Sequence, residues 1–273
     1  MNMTEITYEQ AKEHLCSYGT AVHCEVFRQY KKWHDSDHSK FFLDRGCVIM
    51  EDEYDYNGRH YIDYKVHQCA PDGEIDAVAE EEKRKCLEHA AKYENPTAWV
   101  VKFVVSNGEL TPEQNQFYGW RNFAGMGHPV TPDPRVREMN GDDIPMVKAA
   151  CEPWLEGDTN WSRQLAKDFY DMDYSFQAEF QENYGLYGIF DGGTLCGMAN
   201  MTYDPDLDLA WLLDIFVLPP HRGKGYGKAL VEAALAKYPD KKWHYQAARD
   251  NAPSIALAKS LGFTLEGAGL FIV

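Results

Sequence analysis

The clearest pattern along the chain is a set of short apolar runs in its second half, each cut off by turn-forming residues. Tyr184 to Phe190 and Leu195 to Tyr203 read as strands, joined by Asp191-Gly192-Gly193-Thr194. Two glycines that tolerate positive φ make that tetrapeptide a strong hairpin turn. Leu209 to Leu218 is longer and almost wholly apolar, as expected of a strand buried on both faces. Ahead of these, Val136 to Met139 predicts a short strand. Asp142 to Cys151 predicts a helix capped by Asp142 or Asp143, and Trp161 to Tyr174 predicts an amphipathic helix. Behind them, Gly225 to Tyr238 predicts a helix, Lys242 to Ala248 a strand, Pro253 to Leu261 a helix stopped by Gly262, and Thr264 to Val273 a closing strand. An antiparallel run followed by a β-α-β unit implies a mixed sheet.

The first half is less sharply patterned. Tyr8 to Leu15 and Ala21 to Lys32 read as helices, and Cys47 to Tyr54 with His60 to Gln68 as a hairpin around Asn57-Gly58. Ile75 to Tyr93 predicts a long charged helix, Ala98 to Val105 a strand, and Pro112 to Phe123 a helix ending near Gly125. The order strand, helix, strand, helix from His60 to Phe123 echoes that from Leu209 to Leu261. Between the halves lies Gly127-His-Pro-Val-Thr-Pro-Asp-Pro134, where three prolines forbid helix or central strand. The expected domains are therefore 1–128, a linker at 129–134, and 135–273.

Acidic residues outnumber basic ones by 43 to 27, for a formal charge of −16. Such a surface repels polyanions and so disfavours nucleic acid or an anionic membrane as the main partner. Any phosphate-bearing ligand then needs a local basic island. Seven scattered cysteines without a C-x-x-C pair read as unpaired thiols, which with no basic-then-apolar leader predicts a cytoplasmic protein.

That island exists. Directly after the Leu209–Leu218 run comes Pro219-Pro-His-Arg-Gly-Lys-Gly-Tyr-Gly-Lys228, leading into a helix. Glycines at 223, 225 and 227 let the backbone approach a ligand with its N–H groups turned inward. The helix N-terminus adds unsatisfied donors and partial positive charge, and Arg222, Lys224 and Lys228 add full charges. A P-loop would need Ser or Thr where Ala229 stands, and a Rossmann fingerprint would fall on the first strand rather than late in the domain. A tight structural turn is the remaining bland explanation.

With Arg222, Gly225 and Gly227 in the order [RQ]-x-x-G-x-[GA], Val217 and Pro219 before them, and Asn251, Leu257, Gly262 and Phe263 after them, residues 135 to 273 resemble the GNAT superfamily of N-acetyltransferases. The resemblance implies an α+β (mixed α/β) fold: a mixed, mostly antiparallel sheet flanked by helices, beside a second N-terminal α+β domain. It implies acetyl-CoA as co-substrate, lying where the strands Leu209–Leu218 and Lys242–Ala248 splay apart. Phe216, Val217 and Leu218 would meet the pantetheine, and Arg222, Gly223, Lys224, Gly225, Tyr226, Gly227 and Lys228 the pyrophosphate. Asn251 would lie along the cofactor arm. The reaction implied is direct attack of an amine, from a small molecule or peptide, on the thioester. An acyl-CoA-binding regulatory module without turnover is the rival reading. The first half, with the same element order but no glycine spacing or cations in Pro71-Asp-Gly-Glu, reads as a degenerate GNAT-like domain or as an unrelated α+β domain.

Two departures from the family pattern stand out. Ala258 occupies the position of the tyrosine that protonates the leaving thiolate in relatives, and the strand Leu209–Leu218 carries one acid only, Asp214. Simple alternation puts Asp214 on the face opposite Trp211 and Leu213, so it is a base candidate that competes with a structural role. Tyr203 with Asp204 and Asp206 is a second candidate for an amine site. His244, on the other splayed strand, is a base candidate by chemistry, with a solvent-facing histidine as the preferred reading. Asp158, Asp168, Asp171 and Asp173 with Asp204, Asp206 and Asp208 form either an acidic mouth for cationic acceptors or a solvated surface. His34-Asp35-Ser36-Asp37-His38 has metal-binding residue types but no metal spacing, and no metal is expected.

Overall fold

The computed structural model describes residues 3–18, 39–56, 58–106, 109–112, 119–156, 160–171, 183–205 and 208–272. The helix read at Ala21 to Lys32 and the His34–His38 cluster lie outside them. The chain forms two compact units that are not consecutive segments: Met1–Phe123 with Ala247–Ile255 and Thr264–Val273, and Ala124–Gln246 with Ala256–Phe263. The proline-rich stretch at 129–134 lies inside the second.

In the first unit, β1 (Thr4–Ile6) is followed by α1 (Tyr8–Tyr18), β2 (Lys40–Asp44), β3 (Cys47–Tyr56), β4 (Arg59–Gln68), α2 (Ile75–Ala90) and β5 (Thr97–Val105). The strands lie in sequence order, antiparallel from β1 to β4, and β4 runs parallel to β5. Apolar positions of α2 (Ile75, Val78, Ala79) pack on Cys47, Ile49, Val66 and Val104, while α1 covers the other face with Ala11 and Leu15 against Phe41, Val48 and Met50. Each helix thus buries one stripe on one side of the pleat, the two-layer solution repeated on both faces.

The second unit repeats this order. After β6 (Trp120–Met126) come β7 (Val136–Glu138), α3 (Ile144–Cys151), α4 (Asn160–Asp171), β8 (Tyr184–Asp191), β9 (Thr194–Asp204), β10 (Leu209–Val217), α5 (Tyr226–Lys237), β11 (Lys242–Ala248) and α6 (Ala252–Ser260), and the chain then returns to the first unit as β12 (Thr264–Phe271). Strands β7 to β10 are antiparallel neighbours and β10 runs parallel to β11. Gly192 and Gly193 take φ of +58° and +84° in the hairpin turn, as their sequence demands. Asp143 is the N-cap residue of α3, without a side-chain cap bond, and Asn140 caps the 3-10 turn before it: its side chain accepts the Asp142 N–H, and Asp143 accepts the Asn140 N–H. The core of this unit lies between the sheet and α3 with α4, where Val147, Cys151, Ala166 and Phe169 meet Leu186, Met198 and Phe216.

Several expectations need correcting. Trp120–Met126 is a strand, not the end of a helix; Arg121 to Ala124 are all buried, the signature of a strand covered on both sides, and the polar Arg121 and Asn122 masked it. The strand that follows β11 and α6, β12, pairs antiparallel with β5 and so completes the first unit's sheet, whereas β6 is the neighbour of β11. Cys16 is disulfide-bonded, while Cys47, Cys69, Cys86, Cys151 and Cys196 are free. The expectation of unpaired thiols therefore fails at Cys16, because bridging requires proximity rather than a particular sequence spacing. No described helix is long and apolar enough to cross a membrane.

Candidate acyl-CoA site

The site begins with a parting of two strands. β10 and β11 are paired from Leu209↔Lys242 to Leu212↔Tyr245, and there the pairing stops. At the same step β10 slips against β9: Leu212 faces Met201 and Asp214 faces Asn200, so Leu213 is an extra, bulged residue. A bulge bends its strand and re-aims the side chains beyond it. Leu213 is pushed out to 45% exposure, and the remainder of β10 holds to β9 alone.

Beyond the bulge, ladder alternation decides which backbone groups point into the opening. The Leu218 N–H is used by the Cys196 carbonyl at 3.0 Å. Residues alternate in the direction of their N–H groups, so Phe216 also turns toward β9 and Val217 turns toward the gap. The Val217 carbonyl is taken by Arg222 Nε at 3.0 Å, so of the three residues Phe216, Val217 and Leu218 it is the Val217 N–H that faces the gap.

The loop after β10 is set in place by its own contacts. Gly223 and Gly225 adopt φ of +77° and +81°, the left-handed region that penalises side chains, and a Cβ built at either meets nothing within 4 Å. Gly225 is the N-cap of α5, and no side chain caps that helix, so its first N–H groups are free of side-chain caps. Arg222 also donates to Ser162 Oγ at 2.9 Å, anchoring the loop to α4. Tyr226 is buried, and its hydroxyl donates to Asp191 at 2.6 Å; it offers a ligand its backbone rather than its ring. Lys224 is exposed, and Lys228 lies 3.7 Å from Glu232. Asn251 is an N-cap: its Oδ1 accepts the Ser254 N–H at 3.2 Å, and it clusters with the first unit. Arg222→Ala is expected to weaken acetyl-CoA binding by about 1–3 kcal/mol, because a phosphate contact and the loop's anchor go together. Calorimetry checks it.

The bulge also overturns the parity expected for Asp214. Cross-strand partners share a face, so Asp214 lies with Asn200, and therefore with Thr202 and Trp211, on the side covered by α4. There its carboxyl is pushed up to about 6, first by burial and then by the negative charge of Asp168 on α4. Asp168 is itself raised by burial and is held by Gln164 at 2.7 Å. Tyr184, from β8, and Asn200 complete the cluster; neither stood out in the sequence, because a tyrosine and an asparagine at strand positions carry no motif. His244 is buried at 6% exposure with its ring edge-on to Trp211, not solvent-facing, because β11 is an inner strand covered on both faces.

Tyr203 is not brought to this cluster. It pairs with Ala210 on the other face, donates to Asp208 at 2.7 Å and stacks on Tyr238. Lys241 also binds Asp208, at 2.6 Å. Of the acidic-mouth residues, Asp168 faces Asp214, Asp208 is neutralised by Lys241, and Asp158, Asp173 and Asp206 lie outside the described residues. Ala258 is fully buried, in the core of the unit. Among the described residues no group of His, Cys, Asp and Glu is placed to hold a metal.

The first unit lacks both features. β4 pairs with β5 without a break from Tyr61↔Thr97 to His67↔Phe103, and β3 with β4 without a bulge. The start of α2 is filled by the turn between β2 and β3: the Glu74 N–H donates to the Arg45 carbonyl at 2.9 Å, and a Cβ on Gly73 would fall 2.6 Å from the Gly46 oxygen. Arg45 further pairs with Glu74 and Glu81, which places two carboxylates where a pyrophosphate would have to come.

A parted parallel strand pair is followed by a glycine-bent loop at a helix N-terminus, an arrangement with room and backbone donors for a phosphate-bearing ligand. Residues 149–263 match the model of the acetyltransferase (GNAT) family. Solved structures share the fold over the full length, at low identity. A GCN5-related N-acetyltransferase from Sphaerobacter thermophilus matches at 14% identity and a TM-score of 0.57, covering 99% of this chain and 94% of that one. A GCN5-related N-acetyltransferase from Kribbella flavida gives 13% and 0.50, over 93% and 95%. A tandem GNAT protein from the clavulanic acid biosynthesis pathway gives 12% and 0.50, over 99% and 97%. No curated protein matches. The first unit thus shares the fold of these structures as well.

Proposed function

We propose that the chain is an acetyl-CoA-dependent N-acetyltransferase that acts on an amine of a small molecule or peptide, with catalysis confined to the second unit. The observation that carries this reading is Asp214, turned by the bulge to the α4 side beside the parted strands and poised near pH 6. The pyrophosphate rests on the 222–228 loop and the α5 N-terminus, and the pantetheine runs along the free edge of β10 at Val217. The acceptor nitrogen attacks the thioester carbonyl carbon. As the C–N bond forms, the nitrogen's proton passes to the Asp214 carboxylate; the C–S bond then breaks and CoA leaves as a thiolate that water protonates. The paired acids Asp168 and Asp214 favour a cationic amine over an anionic one by local field.

The test combines thiol release across matched cationic, neutral and anionic amines with calorimetric titration of acetyl-CoA. Turnover with amines and one acetyl-CoA bound per chain are expected. Binding without turnover on any amine would instead favour a regulatory acyl-CoA-binding module, a reading that the buried Ala258 supports. Two molecules bound per chain would show that the first unit is still a cofactor site.

A further inference from the structure

Three side chains from three neighbouring strands, Tyr184 of β8, Asn200 of β9 and Asp214 of β10, share the α4 side of the second unit's strands. Asn200 is only 2% exposed and stands opposite the step at which β10 gains its extra residue. A carboxamide has one acceptor oxygen and two N–H donors. Here Oδ1 accepts the Asp214 backbone N–H at 2.6 Å, and Asn200 lowers the pKa of both the Tyr184 hydroxyl and the Asp214 carboxyl, the direction expected where its amide N–H groups face them.

The geometry has a clear alternative. Were β10 to continue in register, Leu213 would pair with Asn200 and Asp214 with Ala199, turning the carboxyl to the α5 side. The slip that prevents this leaves the Asp214 N–H without a ladder partner of the ordinary kind, and the Asn200 side chain supplies one. We propose that Asn200 is a positioning residue for acetyl transfer: it holds the Leu213 bulge closed through the Asp214 N–H and presents the Asp214 carboxyl beside the parted strands. The proposal rests on Asp214 as the proton acceptor. Asn200 acts through Asp214 and does not touch the acyl group. Its two functions are separable, since the oxygen fixes the backbone and the nitrogen favours the ionised carboxyl.

The full chain is assayed as Asn200→Asp, Asn200→Leu and Asp214→Asn, with kcat, KM for acetyl-CoA, and kcat/KM against pH. Asn200→Asp is isosteric and keeps the acceptor oxygen, but it sets a second negative charge against Asp214. The acid limb of kcat/KM is expected to move up by about one pH unit or more, with the acetyl-CoA KM unchanged. Asn200→Leu removes both functions and is expected to lower kcat to within several-fold of Asp214→Asn, again at unchanged acetyl-CoA KM. A wild-type acid limb in Asn200→Asp overturns the proposal, and this variant decides the matter if the leucine variant does not fold. Wild-type turnover in Asp214→Asn removes the base itself, and the proposal with it. An inactive Asp214→Asn beside wild-type-like Asn200 variants sinks the Asn200 role alone.

Discussion

Asp214→Asn is expected to lower kcat by roughly 10²- to 10⁴-fold while leaving acetyl-CoA affinity intact, the usual range for losing a general base. In the wild type, a base that must be ionised and that titrates at about 6 predicts a rate that falls as pH drops below that value. The same shift makes a stability statement of opposite sense. A carboxyl whose folded pKa lies above its unfolded value stabilises the fold at pH below the unfolded pKa. That contribution is lost as pH rises from about 4 through about 6. Ionised Asp214 therefore costs the fold up to about 3 kcal/mol at neutral pH. The inactive Asn variant should accordingly melt higher than wild type at pH 8, with the gap closing toward pH 4. Equal melting temperatures at both pH values, or undiminished kcat, would remove Asp214 from the mechanism.

Gly225→Val should reduce acetyl-CoA binding more than 100-fold. A β-branched residue at φ +81° strains the turn by about 1–2 kcal/mol, and its side chain enters the open space before the uncapped α5 N-terminus. Gly227 is the built-in comparison. Its φ is not positive, and a Cβ there would lie 3.5 Å from Leu257 and 3.7 Å from Val217, ordinary contact distances. Gly227→Ala should fold as wild type, so any loss of binding it shows measures the ligand's own demand for space. Calorimetry and thermal melts on the two variants separate backbone strain from occlusion.

The second half was readable largely because its punctuation is chemical. Asp191-Gly192-Gly193-Thr194, the glycines of the 222–228 loop and the apolar run of β10 each encode a local conformation. What escaped is non-local. No residue type announces the Leu213 bulge, which contains no glycine, yet one extra residue reverses the face of Asp214. The strand Trp120–Met126 was hidden by Arg121 and Asn122, polar residues buried by their surroundings rather than by their own preference. Nor can a sequence state which sheet edge its final strand will join: Thr264 to Val273 reads as a strand, but its partner β5 is chosen by tertiary packing. The closure of the first unit's cofactor region was half legible. The missing glycines and cations were visible in Pro71-Asp-Gly-Glu, whereas the unbroken β4–β5 ladder was not.

The pairing of β12 with β5 also bears on the order in which the protein is made. During synthesis every residue of α2 and β5 leaves the ribosome long before Thr264 is added, so the first unit waits with an open strand edge while the second is being translated. Gly267 to Phe271, the stretch that pairs with Val105 to Val101, follows every element from β6 to α6. Vectorial folding from the N-terminus, the default for multidomain chains, thus cannot finish the first unit before the second is made. Until β12 is added, the edge of β5 that it covers stays unpaired, the kind of open strand edge that invites pairing with another chain.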